Sequence, residues 1–155
     1  KFIRSSPFAL SIKIRVWSYS YLLKRIGKDI TICDNIYIDG HYNLSLGDRV
    51  SIHQFSYINA EGGVQIGDYV SIGSHVIILS STHNYLKKNL NFKQQGIILK
   101  STKIGNNVWI GSRTTIMEGI KIGNNVIIGA HSLVTKDIPD NVMAFGSPCK
   151  VYKKL

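Results

Sequence analysis

Long apolar runs are missing from this 155-residue chain. No stretch approaches the roughly 18 residues a membrane-spanning helix would need. From Phe8 to Ile26 the aromatic and aliphatic residues are interrupted by Lys13, Arg15, Lys24 and Arg25, too often for a span or a signal peptide. Cysteine is almost absent. Cys33 and Cys149 lie far apart, form no CxxC pair, and are too few for a disulfide framework or a structural zinc site, so a reducing compartment is the expectation. Proline is scarce, 3 residues against 14 glycines, which leaves tight bends to glycine. Acidic residues number 9 against 19 Lys and Arg, for a net charge of +10. That field favours polyanionic ligands. No helix-turn-helix, zinc-finger or RNP pattern accompanies it, so nucleic acid is not expected as a partner, whereas a ligand with several phosphates suits the charge. Signs of disorder are lacking too, with 44% hydrophobic and 18% charged residues in a length that suits one domain. The chain opens at Lys1 rather than Met, which leaves room for an upstream segment.

What is present is a repeat. From Ile104 the chain reads Ile104-Gly105-Asn106-Asn107-Val108-Trp109, and successive hexads begin at Ile110, Ile116, Ile122, Ile128 and Val134. Their fifth positions are Val108, Thr114, Ile120, Val126, Ser132 and Ile138, all small or β-branched. Earlier, Leu46, Ile52 and Ile58 are six apart, as are Ile66, Ile72 and Ile78, and Ile32 and Ile38 open a weaker first turn. The steps Ile38 to Leu46 and Ile58 to Ile66 are eight residues, absorbed as two-residue bulges at a corner.

A simple strand would alternate apolar residues at positions one, three and five. Here the third position is polar, so the chain must turn every six residues, and a glycine or small polar residue beside the aliphatic keeps that corner tight. Three sides per turn give a triangular coil of about 18 residues, stacked at the usual ~4.8 Å strand spacing, with the aliphatics in continuous columns inside. The expected fold is therefore all-β, with four to five coils.

These motifs resemble those of the hexapeptide-repeat acyltransferases, over roughly residues 30–153. The match is carried by Ile66-Gly67-Asp68-Tyr69-Val70-Ser71-Ile72-Gly73, Ser81-Thr82-His83-Asn84, Ile104 to Ser112, Val134 to Pro139 and Gly146 to Val151. It points to the branch with maltose, galactoside, nodulation-factor and polysaccharide O-acetyltransferases. The resemblance implies a left-handed parallel β-helix, a homotrimer with active sites between subunits, acetyl-CoA as donor, no metal and a saccharide acceptor.

Register breaks once on a large scale, between Ile78 and Ile104, where a polar stretch holds His83, Asn84, Tyr85, Lys87 and Lys88. A regular solenoid has no packing need for such an extrusion, so it reads as functional. The resemblance makes His83 the general base: a neutral imidazole accepts the acceptor hydroxyl's proton as the C–O bond forms. It places Glu61 in the acceptor site, where it orients His83 or holds a sugar hydroxyl. His53 and Asn59, expected near the same column, and Asn84 are further acceptor-side candidates. Trp109 would shape the pantetheine channel. The backbone amides of Ser112 and Ala130 would meet the pantetheine arm or thioester carbonyl, Thr135 and Lys136 the adenosine end, and Lys150 and Lys153 the phosphates. Lysine at 150 stands where arginine is often found, which keeps the charge without the bidentate geometry.

The expected layout is a helical N-terminal segment over 1–29, coils over 30–139 with an extruded loop at 79–103, and a tail over 140–155. The expected function is O-acetylation of a saccharide in surface polysaccharide or lipopolysaccharide assembly, in the cytoplasm or at the inner face of the membrane, where the basic N-terminal segment allows peripheral contact. Three alternatives share the scaffold. An N-acetyltransferase would act on an amino or nucleotide sugar, and a non-catalytic trimer would serve only as a scaffold. A γ-class carbonic anhydrase would need three zinc-binding histidines, and the spacing around His75 and His83 does not provide them.

Overall fold

The computed structural model describes residue 5 and residues 9–155. Each hexad forms one side of a three-sided coil, and equivalent sides stack into three parallel sheets. The first face carries Thr31–Ile32, Ser51–Ile52, Ser71–Ile72, Val108–Ile110, Val126–Ile128 and Val142–Phe145. The second carries Tyr37–Asp39, Tyr57–Asn59, Ile77–Ile78, Thr115–Ile116 and Leu133–Val134. The third carries Leu44–Leu46, Val64–Ile66, Thr102–Ile104 and Lys121–Ile122.

Register follows the sequence repeat. Ile32 pairs with Ile52, Ile52 with Ile72, Ile72 with Ile110, and Ile110 with Ile128. The interior column is sealed, with Ile32, Ile52, Ile72, Ile110 and Ile128 each at 0% exposure. Five coils result, and Val142–Phe145 adds one more rung on the first face beyond Pro139. The two eight-residue steps sit where the second face turns into the third. There Gly40, at φ 62°, leads into a short 3-10 turn, His41–Asn43, and one coil later Ala60 accepts from the Gly63 N–H.

The corner between the third and first faces shows why each aliphatic is followed by Gly and then Asp or Asn. The Asx carboxyl or amide oxygen accepts from the backbone N–H of its counterpart in the preceding coil. Asp48 N–H donates to Asp68 Oδ1 at 2.8 Å, Asp68 N–H to Asn106 Oδ1 at 2.8 Å, and Asn106 N–H to Asn124 Oδ1 at 2.8 Å. Asn124 N–H donates in turn to Asp140 Oδ1 at 2.7 Å. The ladder satisfies amides that leave the sheet at the turn and would otherwise lack partners. Glycine precedes it because the coils touch there: a Cβ on Gly105 would lie 2.6 Å from the Gly123 carbonyl oxygen. The next residue closes the corner in the left-handed region, as at Asn107 (φ 52°) and Asn125 (φ 53°), where asparagine is favoured. Their side chains form a second ladder, Asn107 Nδ2 to Asn125 Oδ1 at 2.8 Å.

Both ends of the stack are covered. Helix α1, Ala9–Ser20, packs on the first strand, and Arg15 Nε donates to the Ile32 carbonyl at 2.9 Å. At the other end Lys150–Lys154 returns antiparallel along Val142–Phe145. The expected loop is a β-hairpin, with Ser81–His83 antiparallel to Ile97–Leu99 and a short 3-10 turn, Phe92–Gln95, within its connection.

Candidate active site

His83 ends the first strand of the hairpin, opposite Ile97, and its side chain is exposed. The root of the hairpin is fixed by buried polar groups. Ser80, at 0% exposure, donates from Oγ to the Asn59 carbonyl at 2.7 Å and accepts from the Gly62 N–H at 2.9 Å. Ser81 Oγ donates to Asn59 Oδ1 at 3.0 Å. Residues two apart on a strand share a face, so His83 points from the hairpin on the same side as Ser81. The imidazole is thus carried on a strand anchored at its base.

Glu61 sits at the tip of the Asn59–Gly62 turn that Ser80 pins. Its side chain is exposed, its carbonyl accepts from Asn43 Nδ2 at 3.0 Å, and it lines a cavity of about 270 Å³ with Lys24, Gln65, Leu99 and Ser101. Asn59 is buried under the hairpin root rather than open to an acceptor. His53 lies at the opposite end of the second face, after Ile52, so it and Asn59 do not share a column. Asn84 is engaged locally, its Oδ1 accepting from the Leu86 N–H at 3.0 Å.

Sequence reasoning missed Tyr57 and Asp39. The Tyr57 hydroxyl donates to Asp39 Oδ2 at 2.7 Å. That bond holds the phenol's pKa above its usual value. Partial burial adds to the rise, while a hydrogen bond with Asn59 acts against it. The sequence signal is the repeated Tyr-Ile-Asx of Tyr37-Ile38-Asp39 and Tyr57-Ile58-Asn59, which the register stacks one on the other.

Trp109 projects outward at 57% exposure, as its place in the hexad requires, and lines a cavity of about 400 Å³ with Tyr69, Ser71, Ile127 and Leu155. At the corner that follows, Ser112 and Ala130 are stacked in adjoining coils. Gly111, Arg113, Gly129 and His131 donate their N–H groups to neighbouring coils, whereas the N–H groups of Ser112 and Ala130 find no acceptor among the described residues. Two parallel amides are left available to an incoming oxygen. The segment leading to Lys150 is tied to the same corner, with Leu133 N–H donating to the Gly146 carbonyl and Cys149 N–H to the Leu133 carbonyl, both within 2.9 Å. Lys150 and Lys153 are exposed on the terminal strand. Thr135 and Lys136 are exposed at the far end of the second face, away from the Ser112 and Ala130 amides. No group of three His, Cys, Asp or Glu side chains converges as a metal site among the described residues.

A family model described as bacterial transferase hexapeptide (six repeats) matches residues 101–136. The galactoside O-acetyltransferase of Lactococcus lactis is 38% identical over 129 residues, covering 83% of this chain and 55% of the relative. This chain therefore spans little more than half the length of that protein. Among solved structures, a galactoside acetyltransferase in complex with coenzyme A superimposes with a TM-score of 0.88 at 32% identity, over 99% of this chain and 74% of that one. A maltose O-acetyltransferase from Clostridium difficile 630 gives 0.88 at 33% identity, over 99% and 80%. With stacked hexads, an extruded hairpin and these relatives, the chain is a left-handed β-helix that belongs to the hexapeptide-repeat acetyltransferase family.

Proposed function

We propose that this protein transfers the acetyl group of acetyl-CoA to a hydroxyl of a saccharide, within surface polysaccharide or lipopolysaccharide assembly. The observation that carries the reading is the one large break in the coil. It carries an exposed imidazole on an anchored strand, in a chain whose relatives include galactoside and maltose O-acetyltransferases. The galactoside acetyltransferase neighbour binds coenzyme A, and the free amides and exposed lysines near the terminal strand suit such a donor.

In this reading His83 takes the proton of the acceptor hydroxyl as its oxygen attacks the thioester carbonyl, a contribution of roughly 10²–10⁴-fold. The tetrahedral oxyanion is met by backbone N–H groups of the kind Ser112 and Ala130 present. Collapse breaks the C–S bond, and the imidazolium returns its proton to the departing thiolate. The acetyl ester and free CoA leave.

The reading includes a homotrimer with sites between protomers. A catalytic histidine needs a group that fixes its tautomer. None is bonded to the His83 ring among the described residues of one chain, and Trp109 stands open on its surface, so a neighbouring protomer supplying the missing walls fits both facts. Glu61 is assigned to the acceptor side, and Lys150 and Lys153 to the donor phosphates. His53 and Asn84 stay on the acceptor side, and Thr135 and Lys136 at the adenosine end. The reading includes a cytoplasmic setting at the inner face of the membrane.

Purified protein incubated with acetyl-CoA and a panel of neutral, amino and acidic sugars, with released thiol read out, tests the proposal. Acceptor-dependent thiol release is expected, and His83→Ala should lower it at least about 10²-fold with unchanged thermal unfolding. Wild-type turnover in that variant removes His83 from the mechanism.

A further inference from the structure

Helix α1 carries apolar side chains on two opposite faces, one against the coil and one open to solvent. Turned inward are Ser11 and Arg15, at 8% and 6% exposure, with Arg15 bonded to the Ile32 carbonyl, and the half-buried Val16 and Tyr19 pack on the core beside them. The opposite side carries Leu10 at 69%, Trp17 at 62% and Tyr21, just past the last turn, at 74%. Positions 10, 14, 17 and 21 fall on one helical stripe, which Ile14 completes. Trp17 and Tyr21 meet edge to face, with centroids 5.4 Å apart.

Charge singles out the same end of the molecule. From Ala9 to Lys28 there are five basic side chains and no acidic one. Arg15 is buried, and the other four, Lys13, Lys24, Arg25 and Lys28, are exposed. Lys24 and Arg25 also open onto a shallow depression of about 650 Å³ on the third face, where Lys103 and Lys121 add positive charge against the single acidic residue of its lining, Asp68. Tryptophan and tyrosine prefer the boundary between headgroups and acyl chains, and lysine stems reach past them to headgroup phosphates. A protein partner would need an acidic surface shaped to this stripe; a bilayer with anionic lipid supplies the charge and the apolar boundary together.

We propose that α1 and the cations beside it form a docking surface for an anionic membrane, on which the protein lies without crossing. The inference concerns location and stands apart from the acetyl-transfer reading. No described helix is long and apolar enough to span a bilayer, and contact limited to one interfacial face agrees with that.

The test is co-sedimentation of the whole protein with vesicles of phosphatidylcholine alone or with added phosphatidylglycerol, at low and high salt. Binding is expected only with the anionic lipid, and it should weaken as salt screens the contact. The exposed pair Lys24→Glu and Arg25→Glu should lower that affinity by roughly tenfold or more, and Trp17→Ser should also reduce it, each with unchanged thermal unfolding and unchanged mass by light scattering. Absence of binding to anionic vesicles at low salt overturns the proposal. So does a Trp17→Ser variant that changes oligomeric mass while binding vesicles as before, because the stripe would then be a contact between copies of this chain.

Discussion

Asn59 and Ser81 are 22 residues apart in sequence and share a hydrogen bond of 3.0 Å, Ser81 Oγ to Asn59 Oδ1, that ties the His83 strand to the coil beneath it. Ser80 adds a second bond to the same oxygen at 3.2 Å. Asn59→Ala removes the shared acceptor while the backbone contacts of Ser80 remain. Leaving the half-buried Ser81 hydroxyl without it should cost about 0.5–1.5 kcal/mol of unfolding free energy. Loosened placement of the imidazole should lower kcat for acetyl transfer by roughly tenfold or more, with KM for acetyl-CoA changed little. Chemical denaturation and steady-state kinetics check the two effects separately. An unchanged kcat in a measurably destabilised variant would show that the clamp supports the fold alone.

The corner glycines give a steric prediction. At Gly105 the obstacle to a Cβ is backbone, the Gly123 carbonyl oxygen 2.6 Å away, and neither coil can withdraw without breaking the ladder from Asn106 to Asn124. Gly105→Ala should therefore destabilise by about 1–3 kcal/mol, as overpacking does. Gly96 offers the contrast: although it is at φ 80°, a Cβ there would meet nothing within 4 Å. The expected cost at Gly96 is that of backbone strain alone, about 1–3 kcal/mol for a side chain at φ 80° and ψ −162°. Melting temperatures of the two variants, measured side by side, decide whether coil contact is the larger constraint.

Much of this architecture is legible because a column of aliphatics every six residues has one compact solution, and the spacing alone puts Ile110 and Ile128 inside. The corner chemistry was legible in part, since Gly105-Asn106 announces a tight turn without saying that the amide oxygen reaches into the next coil. The terminal strand Lys150–Lys154 was not legible: all five residues are exposed, so no apolar alternation marks it, and it exists by pairing with the edge left by Val142–Phe145. The bounds of the helix, Ala9–Ser20, are weakly marked because its inward face mixes Ser11 and Arg15, a pair that hydropathy assigns to solvent, with Val16 and Tyr19, while Leu10 and Trp17 face outward. The repeat places His53 and Asn59 near one column, but the strand Tyr57–Asn59 separates them by one full side of the coil.

Tyr57 provides a pH prediction. Its phenol is held protonated chiefly by its bond to Asp39, so the folded-state pKa lies above the unfolded one. Such a group contributes its stability in full below the unfolded value and loses it as pH rises through the folded value, here in the alkaline range beyond ordinary tyrosine titration. The thiols of Cys33 and Cys149 are raised mainly by burial and act in the same direction at lower pH. Tyrosinate absorbance, taken as the difference between wild type and Tyr57→Phe, should show this phenol ionising at higher pH than free tyrosine. Asp39→Asn should bring it down. A Tyr57 titration indifferent to Asp39→Asn would mean that the 2.7 Å bond does not persist in solution.

The terminal strand makes the donor-side assignment testable without touching the base. Lys150 and Lys153 are exposed, pair across to Phe145 and Met143, and form no ion pair among the described residues, so reversing their charge should leave the fold intact. If they meet the phosphates of the donor, Lys150→Glu with Lys153→Glu should raise KM for acetyl-CoA by roughly tenfold or more and leave kcat within about twofold, since the interaction is the same in ground and transition states. The wild-type KM should also rise with ionic strength, and that dependence should be shallower in the variant because two of the screened contacts are gone. The acceptor KM is the internal control: it stays constant if the strand serves only the donor. A donor KM unmoved by both reversals would detach the terminal strand from acetyl-CoA and return its lysines to solvent.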